Sequence, residues 1–220
     1  MNNNYVLTLS HNQTKVLRKA IQAFLQVHSG HLSCMASNEL VRDPVRRAKL
    51  KDSLIALQPL MKGGAPLKED QYTAEVKEAI QIHDKLKKLW CGEDLVLTFS
   101  QATIVEQATE IYARIHMGQL DCIACPNLVD DCSNMSKLSN ALRDMQPLIT
   151  GLGKNLYYGI ESKKVPERAR MAWDIYQVVR HRLAWDMCPK GGTGVCFDEP
   201  CQVAREKLPT MSKVVVEVTE

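Results

Sequence analysis

The chain repeats itself, and this internal duplication constrains the possible folds more than any other feature of the sequence. Residues 27–36 (VHSGHLSCMA) return as residues 115–124 (IHMGQLDCIA), and residues 14–63 align with residues 102–151 without a gap. A duplication of this length predicts two equivalent structural units. The identical pairs include His28/His116, Gly30/Gly118, Leu40/Leu128, Val41/Val129, Asp43/Asp131, Lys49/Lys137 and Leu54/Leu142, and Gln-Pro-Leu occurs at both 58–60 and 146–148.

Two copies of this size favour a single packed body. The 220 residues are 45% apolar, which is enough for a sizeable core. Related copies usually bury their apolar faces against each other. We therefore expect a first helical repeat over 1–92, a second helical repeat over 93–187 and an extended tail with a terminal strand over 188–220, packed as one body.

Capping signals place the first two helices of each copy. Ser10 and Gln13 form a capping box, and a glycine ends the helix at Gly30; the same plan predicts a helix from Ser100 to Gly118. A second helix is expected to begin where Asp43 precedes Pro44 and to end or kink at Pro59. The second copy repeats this arrangement from Asp131 to Gly151, with Pro147 in the place of Pro59.

The remaining elements complete a mainly α fold. Apolar residues at helical spacing predict third helices over 73–90 and 166–187, and alternating β-branched segments predict short strands at 5–9, 94–99 and 214–218. The sequence thus predicts internally duplicated three-helix units, six main helices in all. It also predicts a small β-sheet formed by the N-terminal, mid-chain and C-terminal strands.

Charge and hydropathy exclude several classes of function. The net charge of +3 and the pI near 8.4 are far below what a dedicated nucleic-acid binder carries, so nucleic acid is not the expected partner. No apolar run is long enough for a membrane helix, and residues 1–5 lack the layout of a signal peptide. We expect a cytosolic protein whose eight cysteines stay reduced.

The duplicated histidines are the first candidate binding residues. His28 and His116 each end a first helix next to a glycine, where packing and helix capping compete with a role at a shared ligand. His31 and Gln119 follow the glycines in the loops. Paired loops around a pseudo-two-fold axis would form a cleft, so we include all four residues in a candidate ligand site.

The second candidate surface is the third helix of the second copy, where arginine, histidine and tryptophan come together. One interpretation is a solvated face whose rings pack inward. The other is an anion pocket in which guanidinium groups hold phosphates and aromatic rings stack on a base. The candidate ligand residues here are Trp173, Arg180, His181 and Arg182, extended by Lys137 and Tyr157.

The cysteines and glycines carry weaker signals. Cys122, Cys125 and Cys132, with His116 nearby, could hold zinc, but a second Cys-x-x-Cys is missing and buried thiols are the simpler interpretation. Residues 191–194 (GGTG) lack the Gly-Lys-Ser/Thr ending of a phosphate loop. Because nucleophile-elbow, zinc-peptidase and paired-carboxylate patterns are also missing, we expect no enzyme activity and no cofactor.

Several segments together resemble a known family. Residues 97–100 and 111–120, followed by 158–160, 165–186 and 197–200, are similar to a family of small, uncharacterised helical proteins encoded by tailed bacteriophages. The resemblance is best over the second copy and the tail, and the extra cysteines lie outside the family pattern. It implies a virus-encoded protein that acts in the host bacterial cytosol.

Two functional hypotheses follow. The first is a non-enzymatic protein that sequesters a small anionic, nucleotide-derived signalling molecule of host immunity, a sponge-type counter-defence, in a cleft between the copies or between protomers of a homo-oligomer. The second is an interaction protein that binds and inhibits a host protein through its helical faces. Both rest on analogy with other small phage proteins in addition to the residues themselves.

Overall fold

The computed structural model describes residues 3–62, 64–89, 93–126, 128–129 and 131–215. This part of the chain is mainly helical, with a small three-stranded sheet, as the sequence predicts. The helices are α1 (His11–His28), α2 (Pro44–Ala56), α3 (Ala74–Lys88), α4 (Phe99–Met117), α5 (Cys132–Thr150) and α6 (Glu167–Met187), and the strands are β1 (Asn3–Thr8), β2 (Asp94–Thr98) and β3 (Thr210–Val215).

The sheet pairs the equivalent strands of the two copies. Its order is β2-β1-β3, and both pairings are antiparallel. Tyr5 pairs with Leu97 and Leu7 pairs with Leu95, and all four side chains are buried on one face, as the alternation of a half-buried strand requires. The terminal strand begins at Thr210, four residues before the predicted start at 214, and positions 216–218 of the prediction lie outside the described residues.

Both first helices start with a capping box, but the second box is not at the predicted residue. Ser10 caps α1 through Gln13, and Thr98 caps α4 through Gln101. The predicted N-cap, Ser100, is therefore wrong by two positions. Ser10 and Thr98 lie just before the aligned ranges and at the same offset from each other as the repeats. Only an N-cap at Thr98 puts Gln101 at the third helical position, where its side chain reaches back to the cap.

The two copies differ at the end of their second helix. In the first copy α2 ends at Ala56, and a 3-10 turn at Gln58–Leu60 contains Pro59, as predicted. In the second copy α5 continues through Pro147 to Thr150, so this helix fills the predicted span from Asp131 to Gly151 and, of the two outcomes expected at the proline, the end of the helix does not occur. Proline removes one helical hydrogen bond, yet the helix gains a left-handed cap from Gly151 one turn later.

Two core clusters combine residues of both copies. One lies between the sheet and α1, α3, α4 and α6, with Phe24 and Leu17 among its fully buried members. The other joins α2 and α5 to the 3-10 turns Leu32–Met35 and Leu120–Ile123. No helix in the described ranges is both long and apolar enough to span a membrane.

The connectors between the second and third helices return to the same place in each copy. The backbone N–H of Leu67 donates to the carbonyl of Ser29, and the N–H of Tyr158 donates to the carbonyl of Met117, each at 2.9 Å. Ser29 and Met117 are equivalent in the repeat alignment. The repeat therefore extends to tertiary hydrogen bonds beyond the segment in which the sequences align.

Candidate ligand-binding cleft

A cleft of about 450 Å³ lies where the connector after α1 meets the second copy, and we call it the cationic cleft. The first copy contributes the segment that leads into α2. The second copy contributes the end of α5 and the segment that leads into α6. The lining residues are Glu39, Leu40, Val41, Arg42, Asp43 and Arg46 from the first copy, and His116, Ile149, Thr150, Tyr158, Lys163, Lys164, Pro166 and Arg168 from the second.

Positive charge dominates this lining. Five arginine and lysine side chains face two carboxylates, Glu39 and Asp43. Glu39 already pairs with Lys19 and Arg168, and Asp43 accepts a hydrogen bond from the backbone of Arg46. Among the described residues, the remaining four cations form no salt bridge, and all four are exposed: Arg42, Arg46, Lys163 and Lys164.

His116 and Arg168 form the inner wall of the cationic cleft. His116 Nδ1 lies 2.8 Å from the carbonyl oxygen of Tyr112, so this nitrogen carries the proton and Nε2 can accept. Arg168 Nε donates to His116 Nε2 at 3.3 Å, and Arg168 Nη2 donates to the carbonyl of Glu39 at 2.7 Å. Burial is the main cause that lowers the pKa of His116 to about 4; the charge of Arg168 acts in the same direction and the hydrogen bond to Tyr112 in the opposite one.

Tyr112 lies beside this pair, and its hydroxyl is not satisfied. Its side chain is 95% buried, and the hydroxyl has no hydrogen-bond partner among the described residues. The ring packs against His116 with the ring centroids 4.4 Å apart. Burial raises the pKa of Tyr112 to about 12, although the charge of Arg168 acts in the opposite direction. A buried hydroxyl in this state is costly unless a further partner reaches it.

A second, smaller opening called the adjacent groove, of about 250 Å³, lies on the other side of His116. It runs between α1 and the connector that follows it, and it shares Glu39, Leu40 and His116 with the cationic cleft. Its walls are Lys19, Gln22, Ala23 and Gln26 of α1, Cys34, Met35 and Ser37 of the connector, and Tyr112 and Ile115 of α4.

The first copy contains the counterpart of the cationic cleft, but it is nearly closed. This closed cavity measures about 30 Å³ and is lined by His28, Met61, Lys62 and Leu67, which correspond to His116, Ile149, Thr150 and Tyr158. Glu75, the second residue of α3, lines it where Arg168, the second residue of α6, lines the cationic cleft.

Backbone hydrogen bonding explains why the cationic cleft is open and the closed cavity of the first copy is not. The N–H of Lys62 donates to the carbonyl of Leu128 at 2.9 Å and draws the end of the first copy against the opposite connector. The equivalent Thr150 is the last residue of α5, and its side chain bonds back to the carbonyl of Gln146 within the helix. Because α5 keeps this last turn, Thr150 lines an open cleft.

The sequence-predicted ligand residues do not form one site. His116 lines the cationic cleft and the adjacent groove, whereas His28 lines the closed cavity and His31 bonds to Ser29. Gln119 and Tyr157 line another groove, of about 410 Å³, together with Arg114. Lys137 is exposed on α5, away from these openings. Ligand binding by these residues therefore remains a prediction, and His116 is the member that meets the cationic cleft.

The cationic and aromatic residues of α6 are largely engaged with the protein. Trp173 lies under Arg114 and against Tyr176, and Arg180 packs over the ring of Tyr176. Arg180 also donates to the carbonyl of Val195 in the tail. The last members pair along the helix: Trp185 donates to His181, and Arg182 bonds to Asp186. These contacts favour the packed interpretation of this helix over an open anion pocket.

The cysteines do not form a metal cluster in the described residues. No group of three or more histidine, cysteine or acidic side chains in these ranges could hold a metal ion. Burial raises the pKa of the Cys122 thiol to about 12, which disfavours the thiolate that zinc requires, and Cys132 is exposed at the start of α5.

The four unpaired cations of the cationic cleft carry only a weak sequence signal. Arg42 and Arg46 flank the start of α2, and Lys163 and Lys164 precede the start of α6. Basic residues next to a helix start are a possible sign of anion binding, but more than a hundred residues separate the two pairs. Only the return of the second connector, fixed by Tyr158, brings them together.

Comparisons with known proteins add nothing to this geometry: no protein-family model, no curated protein and no solved structure matches the chain.

Proposed function

We propose that the protein binds a small anionic ligand, of the nucleotide class, in the cationic cleft and releases it chemically unchanged. The observation that carries this proposal is the convergence of four unpaired cations with Arg168 on one opening. Exposed cations repel one another, and this arrangement is expected to gain free energy when an anion neutralises it. Arginine and lysine supply the charged N–H donors that phosphates and carboxylates accept.

Helix termini add to the positive potential. Helix α6 begins at Glu167 after Pro166, which provides no side-chain cap, and Pro166 and Arg168 both line the cationic cleft. Helix α2 begins at the opposite wall, but the Asp43 carboxylate already caps its first turn, so the contribution comes from the start of α6. The partial positive charge of a helix start favours a bound anion, and here it acts together with full charges on the side chains.

The state of His116 favours binding over catalysis. Its Nδ1 donates to a backbone carbonyl and its Nε2 accepts from Arg168, so both nitrogens are engaged. The pKa of about 4 keeps the ring neutral near pH 7. A general base needs a free nitrogen with a pKa near the working pH, and His116 offers neither.

Isothermal titration calorimetry tests the proposal. The ligands are inorganic phosphate, pyrophosphate, nucleoside monophosphates, cyclic nucleotides and ADP-ribose, and chromatography then shows whether each is recovered intact. The double variant Lys163→Ala/Lys164→Ala should weaken binding about fivefold to tenfold, because two charged donors are lost.

A matched control separates the cleft from overall charge. Lys15→Ala/Lys190→Ala removes the same charge from two exposed lysines outside the lining. It should change affinity less than twofold at about 0.15 M salt, where distant exposed charges are screened. Equal losses in both double variants would mean non-specific attraction, heat with none of the ligands would end the proposal, and an altered ligand would mean an enzyme.

A further inference from the structure

We propose that the adjacent groove is the second half of the same site and takes the nucleobase of a nucleotide whose phosphate occupies the cationic cleft. This inference rests on the function proposed above. It adds a binding site for the base, which is the part that distinguishes one nucleotide from another. The two openings lie on either side of His116 and share Glu39 and Leu40 in their linings, so a ligand that crosses their common rim would occupy both. The adjacent groove alone is smaller than the range of about 300–1,000 Å³ for ligand pockets, whereas the two openings together lie well within it.

The adjacent groove has the chemistry that a neutral, planar base requires. Met35, Ala23 and Ile115 supply apolar walls. Gln22 and Gln26 stand one turn apart on α1, and neither side-chain amide is hydrogen-bonded to any described residue. An amide donates and accepts, which matches the mixed donors and acceptors along the edge of a base.

The Tyr112 hydroxyl is the second and independent observation. It belongs to a side chain that lines the adjacent groove and is 95% buried, and it forms no well-directed hydrogen bond within the described ranges, although Arg168 lies nearby. The equivalent residue in the first copy is Phe24, which stacks on His28 and carries no such hydroxyl. The hydroxyl is present at only one of the two equivalent positions. A ligand that hydrogen-bonds to it would remove the cost of leaving it unsatisfied.

The pseudo-equivalent groove of the second copy shows the contrast. There Glu110 and Arg114 replace Gln22 and Gln26, and they form a salt bridge with each other at 2.8 Å. Arg114 also donates to Gln119, and its guanidinium lies 5.9 Å from the centre of the Trp173 ring. Glu110 and Arg114 satisfy each other, whereas the amides of Gln22 and Gln26 in the adjacent groove remain available to a ligand.

The experiment compares ligands that share a phosphate and differ in the base. Titrations use ribose 5-phosphate, AMP, GMP, CMP and UMP with the wild-type protein. We expect at least one nucleotide to bind about tenfold or more tightly than ribose 5-phosphate, because a buried base adds stacking and hydrogen bonds. Tyr112→Phe should reduce that preference about threefold to tenfold and leave the affinity for ribose 5-phosphate unchanged.

Two further variants keep the result interpretable. Tyr5→Phe removes another buried hydroxyl without a protein partner, but from the core beneath the sheet, and it should leave the preference intact. Gln22→Ala changes an exposed residue that cannot disturb the core, and it should reduce the preference even if Tyr112→Phe does not fold.

The outcomes separate this inference from the proposed function. If ribose 5-phosphate binds and all four nucleotides bind equally to it, the base site is refuted while the anion site stands. If Tyr5→Phe lowers the preference as much as Tyr112→Phe, the effect is structural and the base site is again refuted. If neither the sugar phosphate nor any nucleotide binds, the proposed function itself fails.

Discussion

Arg168 donates from Nε to His116 Nε2 at 3.3 Å, and the same guanidinium reaches across to the backbone carbonyl of Glu39 at 2.7 Å. It therefore ties α6 to the end of α4 and both to the connector of the first copy. In the first copy Glu75 occupies the equivalent helix position, with its carboxylate 3.9 Å from His28 Nδ1. One copy presents a cation at this place and the other an anion, which makes the two openings chemically different.

Arg168→Ala should weaken both the fold and anion binding. The variant loses the hydrogen bonds to His116 and Glu39, which are worth about 1–2 kcal/mol of unfolding free energy, and it removes a charged donor from the cationic cleft. Urea unfolding measures the first effect, and phosphate titration, with an expected loss of about tenfold, measures the second. Arg168→Lys should recover part of the affinity but little of the stability, because one ammonium cannot serve both acceptors. Equal affinity of all three proteins for phosphate would contradict this role.

The sequence predicts those parts of the fold that depend on neighbouring residues or that occur in both copies. The capping box at Ser10, the proline at the start of α2 and the alternating strands each depend on neighbouring residues. The duplication then transfers each assignment to the other copy. The transfer leaves open what each proline does in the last turn, an end or a kink, because tertiary packing decides it: α2 ends before Pro59, whereas α5 continues through Pro147.

The candidate site could be predicted only in part. The duplication identifies His116 as a candidate from the sequence alone. The cationic cleft, however, depends on which connector bonds to which backbone carbonyl. Lys62 closes one copy by bonding to Leu128, and Thr150 leaves the other copy open. No sequence pattern predicts either contact. The sequence therefore does not indicate that residues such as Arg42 and Lys163 lie close together in the fold.

Acid should destabilise the protein through its two duplicated histidines. Burial lowers the pKa of both His28 and His116 from 6.5 to about 4, so the unfolded chain binds their protons more tightly than the folded chain does. Their contribution to stability is complete above pH 6.5 and is lost as the pH falls towards 4, by at most about 3 kcal/mol for each. The lowered pKa of Glu39 adds a further loss that begins only as the pH falls below the ordinary value of 4.5, at the acid end of this window. Urea unfolding at several pH values measures the slope.

Single replacements assign that slope. His28→Gln and His116→Gln should each flatten the fall in unfolding free energy between pH 6.5 and 4.5. Sulfate binding to the wild-type protein should change little over pH 5.5–8, because His116 stays neutral there and sulfate stays fully ionised. A tightening of sulfate binding centred near pH 6.5 would show that His116 is protonated in the cleft and would contradict this account.

The tail is held by a buried carboxylate, and Asp174→Asn should loosen it. Asp174 is fully buried in α6 and accepts the backbone N–H groups of Val203 and Ala204, each at 2.9 Å. An amide offers one oxygen to these two donors and turns its own NH₂ towards the other, at a cost of about 1–3 kcal/mol. Trypsin cleavage after Arg205 should become faster. Asp198→Asn, an exposed change in the same tail, is the control and should leave the cleavage rate unchanged.

Gly118→Ala should destabilise the protein more than the equivalent Gly30→Ala. Both glycines have positive φ, +90° and +81°, which costs a side chain about 1 kcal/mol or more. At Gly118 a Cβ would also lie 2.3 Å from Cγ2 of Thr150, whereas at Gly30 the nearest atom is the flexible end of Gln58 at 3.1 Å. We expect a loss in unfolding free energy of about 2–4 kcal/mol for Gly118→Ala and about 1–2 kcal/mol for Gly30→Ala.

Thr150→Ser separates the two causes, because it removes Cγ2 and keeps the hydroxyl that bonds to Gln146 and to the N–H of Leu152. In the double variant Gly118→Ala/Thr150→Ser the clash is gone and only the backbone strain remains, so its unfolding free energy should exceed that of Gly118→Ala by about 1 kcal/mol or more. The pairing with Gly30→Ala should show no such coupling, since Thr150 does not contact Gly30. Strict additivity at Gly118 and Thr150 would mean that the end of α5 moves aside freely, and the cationic cleft that Thr150 lines would then lack the fixed wall on which anion binding depends.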